Sequence, residues 1–92
     1  MAMDAVVETY RLSVDFPKTE AYGLISQMRR AAVSVPSNVA EGQVRGVRAA
    51  INYLNIALGS IAELDTQLEV AVRLAYVSSD RAADLQKLIV SA

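Results

Sequence analysis

Arginine and carboxylate are the side chains here with chemistry to offer, and the arginines gather in the middle of the chain. Arg29, Arg30, Arg45 and Arg48 lie between residues 21 and 62 with Glu41 as the one opposing charge, a local net charge of +3, whereas residues 1–20 and 63–92 each carry −2. Guanidinium groups placed together suit phosphate, because each can donate two parallel hydrogen bonds to its oxygens. These four residues are therefore candidates for contact with RNA or DNA. The chain as a whole has a net charge of −1, and no aromatic residue interleaves with the arginines to stack on bases, so such contact is expected to be weak, electrostatic and sensitive to salt. A competing reading pairs Arg29 and Arg30 with Glu41, Glu63 or a neighbouring subunit and leaves Arg45 and Arg48 solvated.

Glu41 and Glu63 are the carboxylates of the apolar-rich centre, and a pair of them on facing helices could in principle hold a metal. The chain has no histidine and no cysteine, so the usual zinc ligands are absent and the Glu-x-x-His motif of di-iron bundles cannot be written. "EGQVRG" has two glycines but lacks the lysine and hydroxyl residue of a phosphate-cradling loop. No catalytic residue, metal or cofactor is expected.

The elements that must position these groups follow from composition and spacing. A chain of 92 residues with 53% hydrophobic and 21% charged side chains reads as one globular domain over residues 1–92. At this size a single core is marginal, and without disulfides the missing buried area is expected to come from self-association. The lack of cysteine and of a leader-like start in "MAMDAVVETY" fits a cytoplasmic protein, and no apolar run approaches the ~20 residues of a membrane span.

Apolar residues recur at helical spacing nearly throughout. Met3, Val7, Tyr10 and Val14 predict a short first helix from about Asp4 to Val14 with those four facing inward. Pro17 breaks it, and Thr19 followed by Glu20 reads as the N-cap of a second helix. Leu24, Met28, Ala31, Val35, Val39 and Gly42 stripe helix two. Val47, Ile51, Leu54, Leu58, Ile61, Leu64, Leu68, Ala71 and Ala75 stripe helix three at a mean step of ~3.5 residues, the spacing of a bundle seam. Ser78 or Ser79 caps a last helix whose apolar face is Ala82, Leu85, Leu88 and Ile89. The fold class is all-α: an antiparallel up-down four-helix bundle with long central helices two and three. The outer helices are shorter than the central pair, so part of the central stripe is expected to stay uncovered in a single chain.

Residues that break the helical pattern mark where these helices meet. Pro36 costs roughly 3 kcal/mol in a helix interior, so either helix two bends near Pro36 or it ends near Val35; continuation of the stripe through Val39 and Gly42 favours the bend. Asn38 lies beside the stripe and needs a hydrogen-bond partner, for which a carbonyl freed at the bend is a candidate. Gly42 permits close approach or ends the helix. Gly59 and Ser60 read as a notch on helix three that would receive helix two, with Glu63 and Gln67 following on the same face.

"FPKTEAYGLISQMRRAAVSVPSNVAEG" followed by "LNIALGSIAELDTQLEVAVRLAYVS" resembles the four-helix bundle proteins of the 23S rRNA intervening-sequence family, some of which are encoded within insertions in bacterial rRNA genes. The pattern falls on Phe16, Pro17, Gly23, Leu24, Gln27, Arg29, Arg30 and Ser34. It continues through Pro36, Asn38, Glu41, Gly42, Leu58, Gly59, Ser60, Glu63, Leu64, Gln67 and Leu68. Members usually open on a tryptophan-containing helix and have a longer fourth helix, whereas this chain has no tryptophan. The resemblance implies a homo-oligomer, typically a five-membered ring. It also brings in the accessory variability determinant of diversity-generating retroelements, a basic ring that binds reverse transcriptase and nucleic acid. The expected function is a non-catalytic, self-assembling scaffold or adaptor, with a nucleic-acid-binding accessory role as the alternative.

Overall fold

In a computed structural model describing residues 2–90, helix α1 spans Ala2–Ser13, α2 Leu24–Arg45, α3 Val47–Arg73 and α4 Ser79–Val90. α1 lies beside α2 and α4, and α3 completes the square by packing on the same two. The fold is the all-α four-helix bundle read from the spacing.

The first helix forms with its other face inward. Met3, Val7, Tyr10 and Val14 are 42–70% exposed, while Ala5, Thr9, Leu12 and Ser13 are buried, with Phe16 just beyond the helix. Both stripes have helical spacing, so periodicity alone could not choose between them. The Thr9 hydroxyl donates to the Ala5 carbonyl at 2.7 Å and the Ser13 hydroxyl to the Tyr10 carbonyl at 3.2 Å. Each satisfies its own polarity within the helix, which leaves a small side chain that can sit in the core without an orphaned donor.

The start of α2 also departs from the expectation. Lys18–Glu20 form one 3-10 turn, Gly23 precedes the helix, and no side chain caps it. Glu20 serves the tertiary structure instead. Its carboxylate accepts the Tyr76 hydroxyl at 3.0 Å, and the Tyr76 ring lies tilted against Phe16 with centroids 5.4 Å apart. These contacts tie the α1–α2 connection to the α3–α4 connection.

α2 runs unbroken through Pro36 to Arg45, which removes the reading that it ends near Val35. It stops at Gly46, whose φ of +94° is strained for any residue with a Cβ. α3 begins at the next residue, so the central hairpin turns on a single glycine. At the far end of α3, Ala75 takes a positive φ of 61° and the Tyr76 amide donates back to the Ala71 carbonyl at 2.9 Å. This is a Schellman-type stop, and it ends the helix two residues before the predicted stripe does. Ser78 caps α4 by accepting the Arg81 amide at 3.2 Å.

The core is built from Leu12, Phe16, Met28, Ala31, Ala32, Leu64, Leu68, Ala71, Ala82, Leu85 and Ile89. Helix lengths explain where it stops. At 1.5 Å per residue α2 and α3 run about 33 and 40 Å, but α1 and α4 only about 18 Å, so the outer pair covers roughly half of the hairpin. Leu64, Leu68 and Ala71 are sealed at 0–1% exposure, while Val47, Ile51, Leu54 and Leu58, earlier in the same stripe, are 52–81% exposed.

Candidate assembly and nucleic-acid surfaces

The uncovered half of the hairpin forms an apolar groove of about 430 Å³ lined chiefly by Val35, Pro36, Val39, Leu54, Leu58 and Ile61, with Ala2 and Met3 of α1 at its edge. Pro36 lies on this lining. No helix among the described residues is long and apolar enough to cross a membrane.

Three of the small and polar residues singled out by sequence lock α2 to α3 beside the groove. The Asn38 amide nitrogen donates to the Ser34 carbonyl at 2.7 Å and to the Ser34 hydroxyl at 2.8 Å, and the buried Ser60 hydroxyl reaches the same Ser34 oxygen at 2.8 Å. Asn38 thus finds its acceptor one turn earlier on its own helix, at Ser34 rather than at the carbonyl of Ala32 that Pro36 leaves free. Ser34 is the hub of this cluster. Only the resemblance pointed to it, because a lone serine on a helix has no periodic signature.

The close crossing is at Gly42 and not at Gly59. A Cβ at Gly42 would sit 3.1 Å from both the Ala50 Cα and the Tyr53 Cβ, whereas a Cβ at Gly59 would meet nothing within 4 Å. The predicted Gly59–Ser60 notch is therefore half right: Ser60 faces α2, and Gly59 faces open space. Successive helical residues are turned by about 100°, so adjacent positions need not share a face. Two turns beyond Ser60, Gln67 is buried and donates to the exposed Glu63 carboxylate at 3.1 Å, while its own Oε1 is buried without a partner.

The four arginines separate into two groups. Arg29 is bound into the α1–α2 contact: its Nε donates to the Ser13 hydroxyl at 3.0 Å, a terminal nitrogen to the Tyr10 carbonyl at 3.4 Å, and its guanidinium lies 4.6 Å from the Tyr10 ring centroid. It pairs with neither Glu41 nor Glu63. Arg30, one residue on, is exposed. Arg45 and Arg48 flank the hairpin turn, about 22 Å from Arg30 along α2 at 1.5 Å per residue. Arg48 is exposed. Arg45 bonds Glu41 at 3.1 Å, and that hydrogen bond, with Tyr53 behind it, holds its guanidinium above the ordinary arginine value.

Glu41 and Glu63 are thus each engaged within their own helix. Among the described residues no group of three or more carboxylates stands together in the manner of a metal site.

The fold has a solved counterpart. A crystal structure of a protein of unknown function from the S23 ribosomal protein family of Bacteroides thetaiotaomicron superposes with a TM-score of 0.74 at 24% sequence identity, covering 98% of this chain and 92% of that one. No curated protein matches. The sequence model of the 23S rRNA-intervening sequence proteins matches residues 1–92, and the chain belongs to that family.

Proposed function

We propose that this protein is a non-catalytic, self-assembling scaffold: a helical bundle that associates with copies of itself into a ring and presents that ring to a partner. The observation that carries the reading is the half-covered hairpin. Val44, Val47, Ile51, Leu54 and Leu58 are each at least half exposed, on two helices that are otherwise the best-packed pair of the fold. Monomeric proteins rarely leave a contiguous apolar patch of more than a few hundred Å² uncovered. A site for chemistry has less support, since the groove is lined by aliphatic side chains and both central carboxylates are held within their own helices.

The second reading is an accessory role on nucleic acid, alone or beside a protein such as a reverse transcriptase. Arg30, Arg45 and Arg48 at the surface favour it, and repetition around a ring would turn two small groups into a belt. Light-scattering mass of the purified protein, repeated with a generic RNA at low and high salt, tests both. A multiple of the chain mass that ignores RNA supports the scaffold, and RNA bound only at low salt supports the accessory role. A stable monomer refutes the assembly on which both rest.

A further inference from the structure

The outward stripe of α1 has a match elsewhere in the chain. Met3, Val7, Tyr10 and Val14 are spaced four, three and four residues apart and are 42–70% exposed. Val47, Ile51, Leu54 and Leu58 of α3 have the same three steps and are 52–81% exposed. Alternating steps of three and four are the seam of helices that pack at a shallow angle, each side chain entering a hole between four of its partner's. Both seams are about 12 residues long, a little over 16 Å on the helix axis. Within one chain the two seams lie largely apart: α1 packs chiefly on α2 and α4, and of its outward stripe only Met3 reaches the edge of the groove that Leu54 and Leu58 line.

We propose that the two seams meet between copies: the outer face of α1 in one chain seats on the exposed N-terminal half of α3 in another, closing the groove there. This rests on the self-assembly proposed above and names the surfaces that carry it. The occupant is a second copy because the chain itself supplies a complementary helix of the right length and step. Charge agrees in sign. By formal count α1 and the residues to Asp15 carry Asp4, Glu8 and Asp15 against Arg11, −2, with Arg81 of α4 paired to Glu8 and Asp15. The hairpin turn carries Arg45 and Arg48 against Glu41, +1. The area is that of a small contact: four side chains near half exposure offer on the order of 300 Å² per seam, so one α1-on-α3 contact buries about 600 Å² in total and forms the apolar centre of an interface rather than all of a standard one of ~1,600 Å². Pairing α3 on α3 would instead leave the α1 seam bare.

The chain has no cysteine, so single thiols report the contact directly. Val7→Cys and Leu54→Cys, one carrying a short tag so that pairs are told apart by mass, are co-expressed and treated with a short bis-maleimide. The expected result is a mixed Val7→Cys/Leu54→Cys pair as the main covalent product, with each variant alone giving at least tenfold less. Tyr10→Cys with Ile51→Cys repeats the test one turn along, should either first variant fold poorly. Leu54→Cys linking to itself as the main product overturns the proposal in favour of α3 on α3. An assembled mass with no mixed link overturns it while leaving the scaffold standing, and a monomeric mass overturns both.

Discussion

Leu58 and Leu64 lie six residues apart on one helix and one stripe, and their substitution by alanine separates what the single chain stabilises from what assembly stabilises. Leu64 is 1% exposed within the bundle, so Leu64→Ala leaves a cavity in a closed core and should cost about 3–5 kcal/mol. A 92-residue domain has only about 5–14 kcal/mol to lose, and at 4–8 °C per kcal/mol the melting temperature should fall by roughly 12 °C or more. Leu58 is 54% exposed in the single chain. In an isolated monomer Leu58→Ala removes an already hydrated side chain and should cost under about 0.5 kcal/mol. If a second copy covers it, the remaining half of the side chain is buried on association, worth about 1–1.5 kcal/mol per contact, and the loss appears as weaker assembly. The assay is urea unfolding at two protein concentrations tenfold apart, with mass by light scattering alongside. Leu64→Ala should lower the midpoint by a similar amount at both concentrations and retain whatever mass the folded fraction has. Leu58→Ala should lower it most at the higher concentration, where the wild type is assembled, and shift mass toward the monomer. Equal, concentration-independent losses in the two variants would refute the reasoning, because they would mean that the N-terminal half of α3 is buried within one chain.

Gly59→Ala should raise stability by about 0.8–1 kcal/mol, since Gly59 has open space around it and alanine is the better helix former; a drop in the thermal midpoint would mean that a neighbouring chain occupies that space. Gly46→Ala, at φ +94°, should instead cost about 1–2 kcal/mol through left-handed strain, read by the same melt. Arg29→Ala should destabilise the fold by about 1–2 kcal/mol through lost hydrogen bonds and ring contact with α1, whereas exposed Arg30→Ala should leave the midpoint within about 0.5 kcal/mol; equal effects would contradict the contacts described. The Tyr76 hydroxyl donates to Glu20, and that hydrogen bond, followed by burial and the carboxylate's charge, raises its pKa above the ordinary tyrosine value. The folded state therefore holds this proton more tightly, so the stabilisation is complete below the ordinary tyrosine range and is lost as pH rises through the raised value. Tyr76→Phe should flatten the alkaline limb of a stability–pH profile, and an unchanged limb would discount the contact.

Sequence alone determined the four helices, because apolar residues at steps of three and four have no comparable alternative in a strand. It favoured an α2 that passes through Pro36, since the stripe resumes at Val39 and Gly42, and the structure removed the alternative of an end near Val35. Unequal helix lengths were readable too, and with them the uncovered stripe, as length follows from where the periodicity begins and ends. Tertiary structure decided which of two equally periodic faces of α1 turns inward: Thr9 and Ser13 count as polar in a sequence, yet each hydroxyl is satisfied inside its own helix, and small side chains let the helices approach. It decided that Glu20 holds Tyr76 instead of starting a helix, through a contact 56 residues away in the chain. It also placed the close crossing at Gly42 rather than Gly59, because the phase of α3 relative to α2 sets which glycine meets a backbone. Arg29 and Arg30, adjacent in sequence, separate for the same reason: one helical step of about 100° turns the first toward α1 and the second toward solvent. Local spacing specifies which elements form, whereas the rotation of each helix about its axis depends on every neighbour it packs against, and so it appears only once the bundle is assembled.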